Sequence, residues 1–226
     1  MLEKWIGLYL PFFLAMSLLE VAMGHASISL PKPSFDGKVS VEKAIKERRT
    51  IRDFRDRILS LAHVSQLLWA TQGITDPTER RRAAPSGGAL YPLDIYVLIG
   101  ENGVEKMEAG IYRYLPKEHS VSMISKGDHR KEIASASLGQ MWMAKPPVLF
   151  IITAEYKRIT GKYGERGIRY ALIEVGHAAQ NLFLQAEALG LGAGIVGAFN
   201  DLEVSRVAAL LPKHEPLLIM PVGYKK

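Results

Sequence analysis

Four stretches of this chain carry side chains able to do chemistry. Arg48-Arg49-Thr50-Ile51-Arg52 sets three guanidinium groups and a hydroxyl within five residues. Guanidinium forks suit phosphate oxygens or an electron-rich carbonyl edge. The same cations at a helix end would simply satisfy its dipole. Ala84-Pro85-Ser86-Gly87-Gly88-Ala89-Leu90-Tyr91-Pro92 is rich in turn formers. It is either a plain turn or a loop whose backbone and hydroxyl wrap a ligand. Lys162-Tyr163 is either an exposed pair or a base with its neighbour, and a lysine serves as a base only where its ammonium is destabilised. Gly192, Gly194 and Gly197 bracket a short strand expected at Ala193–Val196, where missing side chains let something flat approach the main chain.

The element that must position these groups is the helix expected from Tyr170 to Leu189, stopped by Gly190. Leu172, Val175, Ala179, Leu182, Phe183, Ala186 and Leu189 recur at three and four residues, as an inner helical face requires. Ala171, Ile173, Ala178, Leu184 and Ala188 fill much of the remaining circumference, so the helix belongs in a core or a subunit interface. Tyr170, Glu174, His177 and Asn181 form one polar stripe on it. Buried polar groups need partners: Arg169 is the expected partner of Glu174, and His177 is expected to be a hydrogen-bonded core residue.

The rest of the chain supplies the scaffold. Ser40 caps a helix with Val41, Ala44 and Ile45 inward, and Ser60 caps another with Leu61, Val64, Leu67 and Leu68 inward. Strands are expected at Leu93–Ile99, Ile111–Leu115, Val121–Ile124, Val148–Thr153 and Pro216–Gly223. A helix is expected over 127–143, a polar loop over 162–166, and a helix after Asn200 or Asp201 with Leu202, Val207, Leu210 and Leu211 inside. The run Arg80-Arg81-Arg82 reads as solvated charge. Helices and strands do not alternate strictly, so the order implies an α+β layer. No dinucleotide fingerprint opens a βαβ unit.

The chain has 226 residues, 48% hydrophobic, enough for one domain with a full core. With no cysteine, disulfides, thiolate nucleophiles and thiolate metal sites are absent, and redox chemistry would need a bound cofactor. No metal-ligand spacing such as HExxH occurs, so no metal is expected. The formal charge of +6 suits an anionic ligand. No nucleic-acid motif accompanies it, so no specific nucleic-acid partner is expected. Residues 1–26 read as an export signal cleaved after Ala26 or as an uncleaved membrane anchor. A misassigned start would leave the protein cytoplasmic. Residues 27–39 read as a linker and 40–226 as the domain.

Taken together, ERRTIRDF, APSGGALYPLDIYV, YGERGIRYALIEVGHAAQNLFLQAEALGLGAGIVGAF and PLLIMPVGY, in this order, resemble the flavin-dependent nitroreductase superfamily, and within it the SagB-type dehydrogenases. The likeness covers about residues 40–226. It implies an α+β fold, a mixed sheet flanked by helices, with the long central helix at a homodimer interface and FMN bound between subunits. It implies that Arg48, Arg49, Thr50 and Arg52 hold the flavin. Pro85, Ser86 and Gly87 belong to a loop supplied by the second subunit, and Ile195, Val196, Gly197 and Ala198 lie against the isoalloxazine. Lys225 falls where a second phosphate-binding cation is expected. Lys162 and Tyr163 match a pair that azoline oxidases carry ahead of the same helix. The implied activity is FMN-dependent oxidoreduction of a small molecule or peptide, with a reduced nicotinamide or a quinol as donor. The alternatives are an azoline peptide dehydrogenase and a non-catalytic scaffold that kept the dimer and lost the flavin.

Overall fold

The computed structural model describes residues 27–226. Its centre is a seven-stranded sheet in the order β1-β4-β3-β2-β5-β7-β6. The strands are β1 Ser27–Ser29, β2 Leu93–Ile99, β3 Gly110–Leu115, β4 Ser120–Lys126, β5 Val148–Ala154, β6 Leu191–Ala193 and β7 Glu215–Tyr224. Every ladder between them is antiparallel, and a parallel bridge, Thr50 to Ala193, joins the β6 edge. The helices are α1 Val41–Glu47, α2 Leu61–Gln72, α3 Arg130–Ala136, α4 Lys157–Tyr163, α5 Arg166–Ala188 and α6 Asp201–Val207.

The two middle strands are buried on both faces, and the period of two divides their side chains between two cores. Ile95, Val97, Ile99, Phe150 and Ile152 face α2 and α5. Tyr96, Leu98, Leu149 and Ile151 face α3 and α6. The α+β architecture follows from these covered faces. The helix starts are local devices. Ser40 accepts from the Lys43 N–H, Ser60 and His63 form a reciprocal capping box, and of the two residues proposed for α6, Asn200 provides the cap.

Several expectations are corrected. Residues 27–39 are no linker: β1 pairs with β4, Leu30 is buried, and the Ser65 hydroxyl donates to the Pro31 carbonyl at 2.5 Å. The free edge of β4 offered unpaired backbone groups, and this segment takes them. The helix expected over 127–143 breaks after Ala136, where Leu138 and Gly139 turn left-handed, and resumes as a short 3₁₀ turn at Met141–Ala144. Residues 162–166 are not one loop. They hold the end of α4, a left-handed Gly164 and the start of α5. The strand expected at Ala193–Val196 is Leu191–Ala193, followed by a bridge from Val196 to Ile219. Val41, Ile45, Leu172 and Leu202, expected inside, are exposed in the chain. The expectations on residues 1–26 lie outside the described residues. No helix among those described is long and apolar enough to cross a membrane.

Candidate functional site

The basic segment and the glycine-flanked strand do meet. After α1 the chain runs beside β6, and the Ile51 N–H donates to the Ala193 carbonyl at 2.9 Å. The N–H groups of Gly194 and Val196 turn to β7, bonding Pro221 and Ile219. Those of Ile195 and Gly197 alternate away from β7, and they and the Ala198 N–H meet no acceptor among the described residues. Gly197 and Ala198 are exposed, and Val196 is buried behind them. The result is a short row of free backbone donors at an open surface.

The three arginines part ways. Arg49 folds back and donates to the carbonyls of Lys46 and Arg48 at 2.8 and 2.9 Å, capping α1. The Arg48 guanidinium lies 5.1 Å from the Phe183 ring centre, and that of Arg52 lies 5.8 Å from Trp142. Neither Arg48 nor Arg52 forms an ion pair among the described residues. Thr50 is half-buried in its bridge to Ala193. Lys225 is committed elsewhere: its ammonium donates to Glu187 Oε1 at 2.6 Å, which takes up the charge.

Two glycines have a different reason from the one the sequence suggested. A Cβ on Gly192 would lie 2.7 Å from Lys225 Cγ and 2.8 Å from Ile51 Cγ1. One on Gly194 would lie 2.8 Å from both the Ile51 carbonyl oxygen and the Trp142 ring. These positions admit the protein's own segment and Trp142, not a ligand. At Gly197 a Cβ would meet only Leu218, at 3.7 Å. The sequence reading also passed over Trp142 and over Gln140, whose amide holds the Ala198 carbonyl at 3.3 Å. No periodicity marks either residue.

A second cluster forms around the turn. Gly88 has φ +65°, and a Cβ there would stand 2.6 Å from Tyr163 Oη and 3.2 Å from Lys162 Nζ. A side chain here would be strained at φ +65° and would require the Tyr163 and Lys162 tips to shift. The Lys162 ammonium lies 5.3 Å from the Tyr163 ring centre, and the Tyr163 and Tyr170 rings meet edge to face at 5.2 Å. Lys162 is exposed, on the last turn of α4. Ser86 Oγ accepts from the Tyr91 N–H at 2.9 Å and closes the turn, while Pro85 stands exposed and Gly87 packs over Ile159 and Tyr170.

Beneath this turn lies a polar chain. Glu174 Oε1 accepts from Gln72 Nε2 at 3.3 Å, and Gln72 Oε1 accepts from Arg82 Nη1 at 3.2 Å. Arg82 stacks 4.4 Å from the centre of the Tyr91 ring. Glu174 therefore faces Gln72 rather than Arg169, and Arg82 is not solvated charge. Burial pushes the Glu174 carboxyl up, against the opposing effects of Ser86, Gln72 and the Arg82 charge. Burial likewise pulls the Arg82 guanidinium down. His177, expected in the core, is exposed.

The two clusters sit towards opposite ends of α5. Tyr170 marks one and Phe183 the other, about 20 Å apart at 1.5 Å per residue. Between them α5 presents Leu172 and Ile173, each 50% exposed, with Ile168, 40% exposed, just before Tyr170, and a Cβ on Gly176 would meet nothing within 4 Å. A cleft of ≈ 890 Å³ between residues 32–41, α2 and the end of α5 contains none of Arg48, Arg52, Ser86, Lys162, Tyr163 or Gly197. No cluster of metal-ligating side chains occurs among the described residues.

Comparison with known proteins places this geometry. The nitroreductase family model matches residues 45–224. The chain is 43% identical over 189 residues to the nitroreductase-like protein MJ1384 of Methanocaldococcus jannaschii, covering 83% of this chain and 92% of that protein. It is 30% identical over 169 residues to the microcin B17-processing protein McbC of Escherichia coli, covering 73% of this chain and 62% of that protein. Among solved structures, a chain of the E. coli microcin synthetase McbBCD complex with truncated pro-MccB17 superposes with a TM-score of 0.69 at 25% identity, covering 96% of this chain and 94% of that one. With a matching family model over most of its length and a fold to suit, the chain belongs to the nitroreductase family.

Proposed function

We propose that this protein is an FMN-dependent oxidoreductase whose site is assembled from two copies of the chain. The observation that carries the reading is the donor set at the β6 edge. Among the described residues Arg48 and Arg52 have no carboxylate partner, and the N–H groups of half-buried Ile195 and exposed Gly197 and Ala198 meet no acceptor. These groups fit a flat, phosphorylated ring system: backbone donors for the ring edge and guanidinium groups for the pyrimidine oxygens and the phosphate. Trp142 and the buried Val196 back this surface and keep water from its inner side. When bound, FMN supplies the acceptor and donor of two electrons that a chain without cysteine lacks. Arg49 contributes by ending α1, and Lys225 by holding Glu187. Unpaired arginines at one site also weigh against a scaffold that has lost its cofactor.

The exposed face of α5 supports a pairing of two copies. An antiparallel crossing at its exposed Leu172–Gly176 stripe would lay the Lys162–Tyr163 end of one helix beside the Phe183–Arg48 end of its partner. A two-fold interface is self-complementary, so it builds two such composite sites. Exposed Ile168, Leu172 and Ile173 supply its apolar centre.

Between possible substrates, the lysine–tyrosine pair under Gly88 and the likeness to McbC favour a peptide-borne azoline over a free nitroaromatic. Lys162 and Tyr163 would orient the heterocycle and hold the proton it gives up, and FMN, when bound, would supply the two-electron acceptor. The test is direct. Purified protein is titrated with FMN and should show a flavin band at about 450 nm that sediments with the protein. It should melt several degrees higher with saturating cofactor. Protein that neither retains FMN nor gains stability from it would overturn the reading. Assay with NADH, NADPH and quinols then identifies the donor.

A further inference from the structure

Glu174 is 2% exposed, and its Oε2 meets no donor among the described residues. A buried carboxyl group is costly unless something satisfies it, so it persists for a reason. Among the described residues no cation lies in ion-pair contact with it, and Arg82 is linked to it by hydrogen bonds through Gln72. The Ser86 hydroxyl is close enough to favour the carboxylate, yet outside hydrogen-bond geometry with either oxygen in this structure.

The loop above needs holding. Gly88, Ala89 and Tyr91 all have positive φ, at 65°, 55° and 47°. Two of them are not glycine, and such residues persist only where their surroundings over-determine them. Four contacts restrain Tyr91: its N–H on Ser86 Oγ, its hydroxyl on the Arg80 carbonyl at 2.7 Å, its carbonyl accepting from Arg158 Nη1 at 3.3 Å, and its ring against Arg82. Two of the four lead back to Glu174, one through Ser86, which lies near its carboxylate, and one through Arg82 and Gln72. One turn earlier on α5, Tyr170 carries the Tyr163 ring and the Gly87 backbone.

We infer that Glu174 is a positioning residue that anchors the Ser86–Tyr91 turn from below and so holds Gly88 down on Lys162 and Tyr163. The inference rests on the reading that those two residues face the substrate. Glu174 touches neither substrate nor cofactor. It acts through Ser86 and through the Gln72–Arg82 arm, and those two partners fix where the Lys162 ammonium stands.

The experiment compares full-length wild type with Glu174→Gln, Glu174→Ala and Ser86→Ala by hydrogen exchange resolved to single amides. Glu174→Ala and Ser86→Ala should speed exchange at the Tyr91 amide and its loop neighbours by about tenfold, with strands β2 and β5 unaffected. Glu174→Gln keeps the shape and both arms, and should restore protection. On an azoline peptide Glu174→Ala should lose about tenfold in kcat, with KM and flavin content unchanged. Unaltered loop protection in Glu174→Ala, or acceleration throughout the protein that glutamine fails to rescue, would overturn the inference. The exchange data can be read whether or not flavin binds. Wild type without FMN would therefore sink the functional reading and leave the anchoring result standing on its own.

Discussion

Two individually dead variants should rescue each other if each site draws on both chains. Arg52→Ala removes a cation at the β6 edge, and Lys162→Ala removes the ammonium under Gly88. Within one chain these clusters flank opposite ends of α5, about 20 Å apart between Tyr170 and Phe183. In a mixed dimer, the Lys162 of the Arg52→Ala chain faces the intact Arg52 of its partner, and the other site carries both lesions. Random pairing makes half the dimers mixed, each with one sound site of two, so co-expressed variants should recover about one quarter of wild-type turnover. Flavin content should rise above that of Arg52→Ala alone. The assay is substrate oxidation and bound-flavin absorbance on co-purified, differently tagged chains. A mixed dimer no more active than the sum of its parents would refute the composite site, since two groups within one chain cannot complement across chains.

Other outcomes follow from single contacts. Gly88→Ala forces a Cβ to 2.6 Å from Tyr163 Oη at φ +65°, and should cost about 1–3 kcal/mol of stability by urea denaturation while cutting turnover more than flavin binding. Unchanged turnover would show that the turn does not rest on the pair. Lys225→Met removes the 2.6 Å bond to Glu187 and should cost about 2 kcal/mol, read as a Tm lower by about 4–8 °C, with the FMN dissociation constant unmoved. A large loss of FMN affinity would return Lys225 to the phosphate. His63, His119 and His214 are all pulled below the ordinary imidazole range, chiefly by burial. Their neutral forms are favoured in the fold, so the stability they contribute is complete above about pH 6.5 and is lost as pH falls below it, where the unfolded chain takes up protons first. The urea midpoint should drop between pH 7 and pH 5, and a flat profile would contradict the burial argument.

The sequence by itself determined what depends on neighbours along the chain. Ser40 and Ser60 begin their helices because capping hydrogen bonds reach only three residues. The buried strands Leu93–Ile99 and Val148–Ala154 were legible as apolar runs, and the convergence of Arg48–Arg52 with the strand before Gly194 was legible from the order of its motifs. Tertiary structure decided which partner each side chain met. Glu174 found Gln72, 102 positions away, and not the nearby Arg169. Gly194 is small because Ile51 and Trp142 pass over it. Arg49 capped its own helix while Arg48 and Arg52 reached aromatic rings, and residues 27–29 joined an open sheet edge. The physical reason is reach. Backbone caps and periodicity are settled within a turn or two, whereas an ion, a ring or a free edge is satisfied by whatever the completed fold brings against it.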